Sequence, residues 1–219
     1  MTQFRWLAAL GACVVLTWGA SATTSAQPVH GERTTAATPT PTTAAGLATT
    51  TLATLGPTLA VGDVVFTRIP FAPFTKITQV TGGWSNHVGV VIDVSGAEPL
   101  IAESKVPLSK ITPLSSFVRR SDRGRVAILR PSEPLSTAQQ TRLRHAVDAR
   151  LHVLYDTGFD LASPRQFCSR FVREVLAEAT GTSYGESQRL IDLLTSNPDA
   201  DQRFWTLWYF GRIPWQRVT

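Results

Sequence analysis

The chain has little cysteine: two residues in 219, Cys13 and Cys168. That count excludes a disulfide framework as the device that holds the fold together. No C-x-x-C or H-x-x-x-H spacing occurs, so the ordinary zinc signatures are missing, and no cofactor motif takes their place. Lys and Arg outnumber Asp and Glu by 21 to 16, a formal charge of +5. Arg5, Arg33 and Glu32 are the only charges before residue 57, so the remainder carries 19 against 15. No basic cluster of the kind a nucleic-acid interface needs is present, and nucleic acid is not an expected partner. Long apolar runs are absent too. The longest begins at Trp6 and ends near Gly19, short of the ~20 residues of a spanning helix.

What is present divides the chain into three. Met1–Arg5 is positively charged, Trp6–Gly19 is apolar, and small residues follow at Ala20-Ser21-Ala22 and Thr24-Ser25-Ala26. This order predicts a secretory signal peptide over 1–26, and hence an exported, periplasmic or extracellular protein. Leu10-Gly11-Ala12-Cys13 is similar to a lipoprotein acylation box, but the apolar core before it is brief and continues past it. Cleavage is therefore the expectation; a retained leader would tether the protein to a membrane. Residues 27–56 are mostly Thr, Ala and Pro and predict a disordered linker. One domain over 57–219 follows, with 43% apolar content in the chain and length enough for a core.

Within the domain, Val61–Thr67 predicts a strand, Phe74–Val80 a short helix, and His87–Val94 a strand with two unlike faces. Val88, Val90, Ile92 and Val94 form an apolar face; His87, Gly89, Val91 and Asp93 form the other. Leu100–Glu103 predicts the next strand. A three-residue loop at Val94-Ser95-Gly96 would set Glu103 directly across from His87, and any odd-length loop keeps the two on one face. A carboxylate there would fix the imidazole's tautomer and stabilise its charged form. Gly89 would leave room for another element to approach the ring.

Arg125–Arg130 predicts a further strand, and Ser136–Leu151 a helix with a Ser136/Gln139 capping box. His145 and His152, on or just after it, read as ordinary surface residues. Cys168–Ala179 predicts an amphipathic helix with Phe171, Val172, Val175, Leu176 and Ala179 on one stripe and Gly181 as its stop. Cys168 then sits at a helix N-terminus, where the dipole and free N–H groups lower a thiol pKa and can receive an oxyanion. It also lies on the inward stripe, where a buried cysteine needs no function. A helix starting instead at Ser163-Pro164 would place it one turn inside. The residues alone leave both readings open. The segment from Asp201 is rich in aromatics (Phe204, Trp205, Trp208, Tyr209, Phe210, Trp215), predicting a packed cap or a membrane-facing patch.

Taken in order, Gly62-Asp63, the strand Asn86-His87-Val88-Gly89, Ile101-Ala102-Glu103, Leu129-Arg130-Pro131, Tyr155-Asp156, Phe159-Asp160 and Phe167-Cys168-Ser169 resemble the permuted papain-like amidases. These are circularly permuted relatives of the NlpC-type cell-wall cysteine peptidases. The resemblance covers most of residues 60–180. It implies an α+β fold with a small antiparallel sheet packed against helices, and a cysteine hydrolase with Cys168 as nucleophile, His87 as base and Glu103 orienting it. Tyr155 and Ser169 would serve substrate or oxyanion binding. The chain departs from the family pattern at Arg170, where an acidic residue is common. The implied substrate is an amide, with a peptidoglycan stem peptide the natural candidate outside the cytoplasm. A lipid ester or acyl donor on the same triad, and a non-catalytic binding module keeping the fold, are the alternatives.

Overall fold

The computed structural model describes residues 48–219. The expected leader and most of the expected linker lie outside the described residues. Within that linker, Leu52–Leu55 forms a short helix (α1) capped by the Thr51 side chain. No helix among the described residues is long and apolar enough to cross a membrane.

Five antiparallel strands form one sheet in the order β4-β3-β2-β1-β5: β1 Val64–Thr67, β2 His87–Asp93, β3 Leu100–Glu103, β4 Lys110–Pro113 and β5 Val126–Leu129. The period of two along β1 to β3 separates two cores. Val64, Val88, Val90, Ile92 and Ala102 face α4 (Thr137–Asp148) and α5 (Cys168–Thr180), which supply Leu143, Val147, Phe171, Val172, Val175 and Leu176. Val65, Val91 and Ile101 face α3 (Leu114–Val118) through Leu114, Phe117 and Val118. Each fully buried side chain of this kind is worth about 1.5–3 kcal/mol. The Ser136/Gln139 capping box is present at the start of α4. A third cluster packs α2 (Ala72–Thr81), α6 (Leu190–Ser196) and α7 (Gln202–Trp208) around Val80, Leu190, Leu194 and Trp205.

Two motif positions far apart in sequence meet. Asp63 is buried, and Arg130 donates to it twice, Nε to Oδ1 at 2.8 Å and Nη2 to Oδ2 at 2.7 Å. The fork geometry of arginine suits this, because both carboxylate oxygens are engaged by one planar group. The pair ties the entry of β1 to the exit of β5.

The β2–β3 register differs from the expected one. The observed partners are Val90↔Ala102, Val91↔Ile101 and Asp93↔Leu100, with an irregularity between Val91 and Asp93. Continued, the register sets Glu103 opposite Gly89, so Glu103 reaches His87 on a diagonal. The connection spans residues 94–99, and the irregularity leaves the shared face intact. Nor does another element fill space beside Gly89 freely: a Cβ there would lie 2.5 Å from Ile101 Cγ2, 3.0 Å from the Ala102 carbonyl and 3.0 Å from Phe117. Gly89→Ala is therefore expected to destabilise the fold by about 1–3 kcal/mol, read as a melting point lowered by roughly 2–4 °C per kcal/mol. An unchanged melting point would show that Ile101 and Phe117 yield without strain.

Candidate active site

The site is built where β2 begins, β3 ends and α5 begins. Phe167, in extended conformation (φ −122°, ψ 165°), is the N-cap of α5, and Cys168 is its first helical residue. Ser163-Pro164 does not start the helix. Phe167 offers no side-chain cap, so the first backbone N–H groups of α5 are not taken by its own N-cap. The approach to the helix is held by a parallel bridge between Tyr155 and Gln166. Asp156 N–H donates to the Gln166 carbonyl at 2.7 Å, Gln166 N–H to the Leu154 carbonyl at 3.0 Å, and the buried Ser104 hydroxyl to the Gln166 carbonyl at 3.2 Å.

His87 and Glu103 are both buried, and His87 Nε2 meets Glu103 Oε2 at 2.6 Å. Nε2 therefore carries the proton it donates, and Nδ1, which is buried without a hydrogen-bond partner, is the ring's free nitrogen. Burial pulls the His87 pKa down, but Cys168 and Glu103 outweigh it and push it up to about 9. Burial raises the Cys168 thiol, yet the His87 imidazole, helped by the Tyr155 hydroxyl, brings it below its ordinary value. Thiol and imidazole thus favour each other's charged form. Cys168 is 8% exposed.

Tyr155 is buried and its hydroxyl donates to Cys168 Sγ at 3.9 Å. Burial, then the negative charge developing on Cys168, raises its pKa well above the usual phenol value. It is a permanent donor at any working pH. Ser169 is exposed on the first turn of α5. Arg170, where the family pattern has an acid, turns away from chemistry: it donates Nη1 to the Ser163 and Arg165 carbonyls at 2.6 and 2.9 Å and Nε to Glu174 at 2.7 Å. It fastens the loop that delivers Cys168.

Sequence reasoning missed two residues. Arg120 Nη2 donates to both oxygens of Glu103 at 2.8 Å, and Thr112 Oγ1 donates to Oε1 at 2.6 Å. Burial raises the Glu103 pKa, but His87 and Arg120 outweigh it and hold the carboxyl at about 2. Arg120 also lies 5.2 Å from the Phe117 ring, which is 5.5 Å from the His87 ring. Nothing in the residue types marked either; only β4 and the turn after α3 bring them to Glu103. Among the described residues no three His, Cys, Asp or Glu side chains are grouped to hold a metal ion.

Known proteins share the sequence and the fold of this chain. YiiX of Escherichia coli K12, an uncharacterised protein, is 28% identical over 142 residues, 65% of this chain and 69% of that one. A crystal structure from Escherichia coli O157:H7, titled as that of the metalloprotein yiiX, superposes with a TM-score of 0.67 at 28% identity. The match covers 73% of this chain and 87% of that one. The sequence profile of the permuted papain-like amidase enzymes, YaeF/YiiX, C92 family, matches residues 58–218, and the chain belongs to that family.

Proposed function

We propose that the protein is an exported thiol amidase acting through Cys168, His87 and Glu103, with a cell-wall stem peptide as substrate. The observation that carries this reading is the imidazole's division of labour: Nε2 bound to a buried carboxylate, Nδ1 unpaired, and a thiol interacting with the ring. His87 Nδ1 takes the Cys168 proton, and the thiolate attacks the amide carbon, moving the C=O pair onto oxygen. The Cys168 N–H at the start of α5 and the Tyr155 hydroxyl stabilise that oxyanion. Collapse breaks the C–N bond, and the leaving amine takes the proton from Nδ1. Water then attacks the thioester with His87 as base, releasing the acid and restoring the thiol. General base assistance of this kind is worth roughly 10²–10⁴-fold. A lipid acyl ester is the second reading, and the exposed Leu207 and Phe210 favour it.

The relative titled a metalloprotein raises the question of a metal here. The donor set fits one poorly: Glu103 has both oxygens engaged by His87, Thr112 and Arg120. No step of the proposed reaction passes through a metal.

The test is alkylation of Cys168 by iodoacetamide against pH, followed on the Cys168 peptide by mass spectrometry, in the full chain and in His87→Ala. Wild type is expected to react fast below about pH 7 and the variant at least roughly tenfold more slowly there. Slow reaction in both, with a midpoint near the ordinary thiol value of about 8.5, would leave a binding scaffold and overturn the catalytic reading.

A further inference from the structure

The aromatic C-terminal segment divides into two halves. Trp205 and Ile213 are buried in the third core cluster, and Phe204, Trp208 and Tyr209 pack against it. The outward side of α7 is different. Arg203 and Leu207 lie one turn apart on α7, Phe210 follows two residues beyond its end, and all three are exposed, Leu207 by 78% and Phe210 by 99%. Phe210 has a left-handed backbone (φ 54°) and is followed by Gly211 at φ 93°, which turns the chain so that the ring stands at the tip of a loop. Arg212, also exposed, follows, and neither it nor Arg203 forms an ion pair among the described residues. A groove of about 590 Å³ runs between this tip and Gly158, with Arg212 and Arg217 in its lining.

This face is fastened to the loop that leads from Tyr155 to Cys168. Trp208 Nε1 donates to the Thr157 carbonyl at 2.9 Å, Tyr209 Oη to the Gly158 carbonyl at 3.1 Å, and Arg217 Nη1 to the Gly158 carbonyl at 2.9 Å. Thr157 lies two residues beyond Tyr155, whose hydroxyl touches the thiol.

We propose that Leu207 and Phe210, flanked by Arg203 and Arg212, form a docking face for an anionic lipid surface. Two protruding side chains without polar tips gain from entering the acyl boundary of a bilayer, while arginines beside them bind the phosphates of the head groups. Through the three hydrogen bonds to residues 157 and 158, docking would set the active-site loop close to the membrane surface. The proposal does not depend on thiol chemistry, so it can fail or stand separately from the amidase reading.

The test uses the full chain carrying an NBD fluorophore at Phe210→Cys in a Cys13→Ser, Cys168→Ser background. Vesicles of equimolar phosphatidylcholine and phosphatidylglycerol are expected to shift its emission to the blue, with quenching by spin-labelled lipid. Vesicles of phosphatidylcholine alone are expected to do so far more weakly. Arg203→Gln and Arg212→Gln are each expected to weaken the apparent affinity roughly fivefold, and Leu207→Asp to abolish the shift. An NBD group that stays solvent-exposed on anionic vesicles overturns the proposal, even if the chain binds them by another segment. So does equal response to neutral vesicles, and so does a blue shift without vesicles, which would assign the face to a second copy or to another part of the chain.

Discussion

Arg120→Met is expected to lower the stability of the fold by about 3 kcal/mol, the lower end of what removing one partner of a buried ion pair does. Glu103 is fully buried, and among the described residues Arg120 is the one group that donates to both of its oxygens. Without it the carboxylate keeps His87 and Thr112, which is why the low end applies. Met keeps an unbranched apolar side chain at the position, so the loss reports the missing charge, its hydrogen bonds and its contact with the Phe117 ring. Arg120→Lys should fall between the two, because an ammonium presents a point charge and not a planar fork.

The pH dependence gives a second readout of the same change. Glu103 is held at about 2 against an ordinary 4.5. A depressed carboxyl contributes stability that is present above its unfolded value and is lost as pH falls through its folded value. Weakening the depression moves the acid-unfolding midpoint of Arg120→Met upward. Urea unfolding at neutral pH and an acid titration check both. A loss below about 1 kcal/mol, the range of exposed pairs, with an unmoved acid midpoint would show that Arg120 is an ornament of the site.

Arg120 also shows where sequence reasoning stopped. The pair His87 and Glu103 was legible because β2 and β3 are adjacent in sequence and side-chain parity survives an error in register. The expected direct pairing failed, since the hairpin connection spans six residues with an irregularity before it, yet the shared face held. The stripe Phe171, Val172, Val175, Leu176 and Ala179 and the stop at Gly181 were legible in α5 for the same reason: they are local and periodic. Arg120 and Thr112 were not, because residues 104–125 have no period: Thr112 lies on a strand of four residues and Arg120 in the turn after a helix of five. The end of the chain was equally opaque. It closes by a bridge of Arg189 to Val218 and reciprocal hydrogen bonds between Gln188 and Thr219, contacts that no periodicity announces. Of the aromatic segment, Trp205 is packed inward from α7, while Leu207 on the same helix is exposed.

The second large effect concerns the thiol. Between pH 6.5 and about 9, the span over which His87 is raised, wild type is expected to gain stability relative to Cys168→Ala. His87 is raised from 6.5 to about 9. Its contribution is fully present below 6.5 and is lost as pH rises through about 9. Cys168 has the opposite sign: lowered from 9.0, it contributes stability that is present above that value and is lost as pH falls through its folded pKa. In wild type the two contributions run in opposite directions with pH and offset each other between 6.5 and 9. Cys168→Ala has no thiol contribution to offset the imidazole's, so the gap between the two proteins widens with pH. All other titrating groups are common to both and cancel in the difference. Urea denaturation at several pH values measures it directly. A gap that stays constant would mean that thiol and imidazole titrate independently, and Cys168 would then be one more apolar side chain on the inward stripe of α5.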